Sequence, residues 1–211
     1  TNSQLLYLNS NLVNLHYIGV GRDDGKTKGE YSPIFYNKSN YELISSDTFW
    51  LSETPKRVSV GWDASMERIC TYGLFKQNIS GRKLWVFNTH FDHIGNIARE
   101  KSVDLILKKI NDLTEINDYI IITGDFNLPD NSNPIKKIQK FYKDVSINID
   151  KLSDLYGTFN NFQISSISKN RIDYIFYKNF ILIDSNHGNV KTKQGRWASD
   201  HHPVISLFNF F

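Results

Sequence analysis

Asp125 and Asn127, in the run Ile121-Ile122-Thr123-Gly124-Asp125-Phe126-Asn127, are the residues of this chain best suited to do chemistry. The β-branched residues before them read as a strand buried on both faces. Gly124 then lets the backbone turn, so that a carboxylate and an amide emerge two residues apart on one side. Such a strand end can hold an acceptor and a donor rigidly. It can equally be an Asp-Asn turn, because both residues bond their own backbone. Three other segments offer groups of the same kind. Leu84-Trp85-Val86-Phe87 delivers Asn88-Thr89-His90-Phe91-Asp92-His93, and Ser199-Asp200-His201-His202-Pro203 leads into the apolar Val204-Ile205. Arg171-Ile172-Asp173-Tyr174-Ile175-Phe176 carries a carboxylate inside a strand, which is costly unless it is paired or binds a cation.

The strands expected to carry and surround these residues are His16 to Val20, Pro33 to Asn37, Tyr41 to Leu51, Arg68 to Gln77, Lys83 to Asn88, Tyr119 to Thr123, Ile172 to Tyr177, Ile181 to Asp184 and Val204 to Phe208. Asn78-Ile79-Ser80-Gly81 reads as a hairpin turn. Ala98, Ser102, Ile106, Ile110 and Leu113 recur at helical spacing. A second helix takes Asn133 as its N-cap and Pro134 at its first position. Many strands with few helices predict two packed sheets flanked by helices, with the motif residues on one rim.

The ordered motifs Asn88-Thr89-His90, Gly124-Asp125-Phe126-Asn127, Arg171 to Phe176 and Ser199-Asp200-His201-His202-Pro203 resemble the endonuclease/exonuclease/phosphatase superfamily, the metal-dependent phosphoesterases related to pancreatic deoxyribonuclease. Gly19-Val20-Gly21-Arg22-Asp23-Asp24-Gly25, Ser32 to Tyr36, Phe49 to Pro55 and Gly61 to Ala64 resemble its small bacterial-type branch. The resemblance implies a four-layer α/β sandwich, two mixed β-sheets flanked by helices, as one domain over residues 1–211. It implies that His90 donates to a non-bridging phosphate oxygen, that Asp125 and Asn127 hold the attacking water and the phosphoryl oxygen, and that Asp173 pairs with His201. The base, Asp125 or the Asp173–His201 pair, stays open. Asp200 is the implied ligand of Mg²⁺ or Mn²⁺, which favour carboxylate over imidazole.

The family's first strands, with an Asn and a Gln-Glu whose Glu binds metal, have no counterpart here, and Thr1-Asn2-Ser3-Gln4-Leu5 resembles the helix that follows them. A fragment lacking these strands is therefore expected, with bared apolar faces and poor solubility and activity when expressed alone. If the Glu is replaced from within, Glu30 and Glu53 are the first candidates.

Other residues have rival readings. His90, Asp92 and His93 are spaced so that they could bind Zn²⁺ instead. Arg68 either reaches phosphate with its fork or pairs with a carboxylate. Trp197, beside the Asp200 motif, is a candidate substrate contact, and Thr158-Phe159 with Phe162 a candidate substrate wall.

Composition bounds the rest. Lys and Arg number 25 against 22 Asp and Glu in 211 residues, too small an excess to indicate a polyanion partner. Apolar runs are too short for a membrane span. A single cysteine, Cys70, excludes an internal disulfide and favours a cytoplasmic, reducing location. The expected activity is Mg²⁺-dependent hydrolysis of a phosphomonoester or phosphodiester, by a monomer, on a small phosphorylated metabolite. A nuclease acting on DNA or RNA and a non-catalytic phospholigand-binding module are the alternatives.

Overall fold

The computed structural model describes residues 1–146, 156–164 and 168–211. At its centre lies a six-stranded mixed sheet in the order β3-β4-β5-β6-β8-β7. Its strands are β3 (Tyr41–Trp50), β4 (Ile69–Gln77), β5 (Lys83–His90), β6 (Tyr119–Asp125), β7 (Lys143–Asp144) and β8 (Asp173–Lys178). Only β5 and β6 run parallel, and α2 (Asn96–Leu113) is the crossover between them, as a parallel pair requires.

Period-2 alternation gives this sheet two apolar faces. Trp85 and Phe87 of β5, Ile120 and Ile122 of β6, and Tyr174 and Phe176 of β8 join one core with Val103, Ile106 and Ile110 of α2 and with Ile135 and Ile138 of α3 (Asn133–Gln139). Their neighbours Leu84, Val86, Ile121, Ile175 and Tyr177 face a second core. Two antiparallel pairs cover that face: β1 (Leu15–Ile18) with β2 (Ile34–Asn37), and β9 (Phe180–His187) with β10 (Val204–Phe210). The second layer is thus two separate hairpin-like pairs, and Val86, Ile121 and Ile175 are only half-buried. A first helix, α1 (Asn2–Asn11), buries Leu5.

The elements match the expected ones, with most strand ends moved by one or two residues, and three further differences have local causes. The helix α3 is capped by Ser132, one residue earlier than expected, because Ser132 is extended and its carbonyl accepts the Lys136 N–H at 3.0 Å. The strand β9 runs on to His187, held by pairing with β10. The two-residue strand β7 was not expected, since its Lys143-Asp144 has no apolar pattern. Asp144 is drawn in by two hydrogen bonds from Arg171, at 3.0 and 2.8 Å. No helix among the described residues is long and apolar enough to cross a membrane.

Candidate active site

Register on three adjacent strands builds the centre of the site. His90 at the end of β5 pairs with Asp125 at the end of β6, and Asp125 pairs with Asp173 at the start of β8. Three strand ends therefore place three polar side chains in a row. The strands approach closely here because residue 124 is glycine. Its φ is +148°, and a Cβ would lie 2.0 Å from the Thr89 carbonyl oxygen.

A later segment adds the fourth group. His202 N–H donates to the Thr158 carbonyl at 2.6 Å, and Phe159 forms an isolated bridge with His201. The Thr158 hydroxyl in turn accepts from the Ile172 and Asp173 N–H groups, at 3.0 and 3.1 Å. His201 is thereby pinned over β8, its Nδ1 2.7 Å from Asp173 Oδ2 and its Nε2 3.9 Å from Asp125 Oδ2. His90 Nε2 lies 3.4 Å from the same Asp125 oxygen. These groups open on a cavity of about 620 Å³, lined also by Tyr31, Asn88, Ser199 and Val190.

The charges follow from these contacts. Burial, reinforced by Asp173, pushes the Asp125 carboxyl up to about 6, against the lowering effect of the Asn127 N–H. Burial, then the charges of Arg68 and Arg22, push the His90 imidazole down to about 3, so it is neutral near pH 7. Burial works against protonation of His201, but its bond to Asp173 and the Asp125 and Asp200 charges prevail and raise it above its ordinary value. With Asp173 accepting at Nδ1, the Nε2 atom is the one left to exchange a proton.

Asn127 stands in the left-handed region at φ 48°, its N–H on Asp125 Oδ1 at 2.8 Å and its side-chain amide on the Phe91 carbonyl at 3.0 Å. The Asp-Asn turn is therefore present, and it aims the carboxylate at the rim. Asp125, Asp173 and His201 offer ligand atoms within 4.8 Å of one another, a donor set that fits a divalent cation. The Asp200 carboxylate is not in that group; its side-chain hydrogen bond is a long one from Ser199, 3.4 Å. The zinc arrangement does not form. Asp92 is buried and accepts from Ser65 and from the Ile94 and Gly95 N–H groups, while His93 Nδ1 is 3.0 Å from Arg68.

Arg68 is buried and pairs with Asp92 at 3.4 Å, on the His90 side of the rim. Trp197 is occupied rather than free. Its Nε1 donates to the Gln163 carbonyl at 2.9 Å, the Lys191 ammonium sits 4.5 Å from its ring centre, and His202 meets it edge-on at 4.7 Å. Thr158 and Phe159 anchor His201, as described, and Phe162 is exposed. Of the two alternative glutamates, Glu53 accepts from the Trp62 N–H at 3.1 Å, whereas Glu30 Oε2 comes within 3.7 Å of His90 Nδ1. Arg22, bonded to Glu30 at 2.6 Å, arrives with it. Neither carries a spacing signal, since a loop brings both from a distant part of the chain.

The same fold occurs in solved structures of other proteins. A solved endonuclease/exonuclease/phosphatase from Bacteroides vulgatus shares 35% identity and superimposes with a TM-score of 0.90, covering 100% of this chain and 82% of that one. A mannosyl-6-phosphatase from Bacteroides thetaiotaomicron shares 37% identity with a TM-score of 0.86, over 99% and 82% of the two chains. Uncharacterized protein L388 of Acanthamoeba polyphaga mimivirus is 31% identical over 135 residues, 63% of this chain and 47% of that protein, so the chain spans about half that relative's length. The family model described as Endonuclease/Exonuclease/phosphatase family matches residues 9–201, almost the whole of the fold just described, and this chain therefore belongs to that family.

Proposed function

We propose that residues 1–211 form one domain of a divalent-metal-dependent phosphoesterase that cleaves a small phosphorylated metabolite by in-line attack of water. The observation that carries this reading is the register-aligned row His90, Asp125 and Asp173, closed by His201 over Asp173 at 2.7 Å. Asp173 fixes the His201 tautomer and supports the charge it gains on taking a proton. A water lodged between His201 Nε2 and Asp125, 3.9 Å apart, is within hydrogen-bond reach of both. His90, neutral, donates one N–H to a non-bridging phosphoryl oxygen, and Asn127 keeps Asp125 aimed.

Mg²⁺ or Mn²⁺ fits the oxygen-rich donors of this rim, with Asp125 and Asp173 in reach of each other and Asp200 in the adjoining motif. When bound, the cation neutralises phosphoryl charge and stabilises the leaving alkoxide. The small-metabolite preference is supported by the net charge of +3, too weak for a polyanion track, and by the 37% identity to a mannosyl-6-phosphatase. The single, buried Cys70 supports a reducing compartment, and the protein is proposed to act as a monomer. A phosphate-release screen with Mg²⁺ across sugar phosphates, nucleotides and single- and double-stranded nucleic acid tests the assignment. Release from sugar phosphates is expected. Plasmid nicking without release from small esters would replace this reading with a nuclease, and Mg²⁺-dependent binding without turnover would replace it with a binding module.

A further inference from the structure

On the far side of His90 from Asp125, a preformed loop delivers two opposite charges. The Asp24 carboxylate accepts from the backbone of Lys26, Thr27 and Lys28 at 2.8, 2.9 and 2.9 Å. Gly29 has φ +82°, a left-handed backbone that glycine adopts without strain. The loop presents Arg22 and Glu30 to the buried Arg68.

The donors of this cluster exceed its acceptors. Arg22 gives Nη1 to Glu30 at 2.6 Å and Nη2 to Met66 Sδ at 3.0 Å. Its Nε makes no hydrogen bond, although Asp23 Oδ1 lies 3.5 Å away. Arg68, 4% exposed, gives Nε to Asp92 and Nη2 to His93, and its buried Nη1 has no hydrogen-bond partner among the described residues. Buried N–H groups are ordinarily hydrogen-bonded, so such a donor beside a reaction centre calls for an acceptor. The two guanidinium groups line one narrow cleft with Glu30, Tyr31, Ser32, Ile69 and His90. Among the described residues Glu30 is the sole carboxylate lining it, its side chain is 48% exposed, and its 3.7 Å approach to His90 is too long for a hydrogen bond. An exposed carboxylate, bonded through its side chain to Arg22, thus sits among less exposed donors.

We infer that Arg22, Arg68 and His90 form a subsite for a phosphate-monoester dianion, and that Glu30 is its resident stand-in, displaced when the phosphoryl group enters. The inference rests on the phosphoesterase reading above and names the substrate class. The Arg22 Nη1 that Glu30 releases, the partnerless Arg68 Nη1 and one neutral imidazole N–H match three non-bridging oxygens bearing two charges. A diester offers two such oxygens and one charge, and leaves a donor unfilled.

Calorimetric titration of inorganic phosphate into the Mg²⁺-supplemented protein tests this. Relative to the unaltered chain, Glu30→Gln is expected to bind phosphate about tenfold tighter and Arg22→Gln about tenfold weaker, the scale of one charge-assisted hydrogen bond. Mg²⁺ affinity is expected to stay the same in all three. Arg22→Lys, which keeps the charge and loses the fork, is expected to fall between, and thermal melts check that each variant is folded. Arg22→Gln is also expected to lower kcat/KM for p-nitrophenyl phosphate more than for bis-p-nitrophenyl phosphate. Equal or weaker phosphate binding by Glu30→Gln overturns the inference, as does loss of its Mg²⁺ affinity, which would make Glu30 a metal ligand. A collapse of kcat in Glu30→Gln overturns it too, by making Glu30 the partner that charges His90. Ester turnover with phosphate binding flat across the variants sinks the subsite alone. The expected binding pattern without ester turnover sinks the catalytic reading and leaves the subsite.

Discussion

The two faces of the six-stranded sheet share one alternating pattern and end in different states. Ile120, Ile122 and Phe176 are sealed under α2 and α3, at most 1% exposed. Their neighbours Ile121 and Ile175 lie half-buried between two separate strand pairs, and the cavity of the site opens on that side through Asn88, Thr123 and Ile175. One face is a close-packed core that fixes where the strand ends lie. The other is left open, and there the polar groups meet solvent and substrate. Rigidity and access are thereby assigned to opposite sides of the same strands.

The largest effect should come from the open side with little change in stability. His201→Ala is expected to lower kcat for phosphate release by about 10²- to 10⁴-fold, the usual worth of a positioned general base. Because His201 is only partly buried, the thermal midpoint should barely move. A loss below tenfold would take His201 out of the reaction.

The next tests sharpen the contrast between faces. Arg171 and Asp144 are almost fully buried, paired at 2.8 Å, and tie β7 to the Asp173 strand. Arg171→Ala is expected to destabilise by about 3–5 kcal/mol in urea unfolding, since it strands a buried charge. Ile122→Ala, on the sealed face, should cost about 3 kcal/mol, within the range for core truncations. Ile121→Ala, one residue along on the open face, should cost about 1 kcal/mol, in proportion to the smaller apolar area it removes from water. Equal costs for the two isoleucines would mean that both faces are sealed in solution.

The smallest effects are titrations, and the two rim histidines should carry opposite signs. The folded value of His90 is near 3, below its ordinary 6.5. Between these values the unfolded chain takes up a proton and the folded chain does not, so His90 lowers stability as pH falls through that window. The folded value of His201 is raised, so its contribution is fully present below 6.5 and is lost as pH rises through the folded value. Thermal melts across this range should show His90→Gln flattening the acid-side loss and His201→Gln the alkaline-side one. The same sign for both variants would contradict the assigned environments.

Much of this was legible locally. The runs ending at His90 and Asp125, the lone carboxylate of Asp173 and the Asp200-His201 step stand out because strand periodicity and buried charge are features of neighbouring residues. Gly124 marks a close approach that only a missing Cβ allows, and the apolar spacing of α2 is visible in the same way. Such signals, together with the motif order, determined the fold class, the family and the six polar residues to watch.

Tertiary structure decided what those residues do to one another. Strand register, which no single segment encodes, put His90, Asp125 and Asp173 side by side, and the Thr158 anchor brought His201 to 2.7 Å from Asp173. It turned Asp92 and His93 toward Arg68 and the backbone, away from any zinc site, and filled the surroundings of Trp197. It also carried Arg22 and Glu30 across some 60 residues of chain to His90. Composition and spacing report what a residue can do, whereas pKa shifts, orphaned donors and open cavities depend on distances between segments, and those distances exist only once the chain has packed.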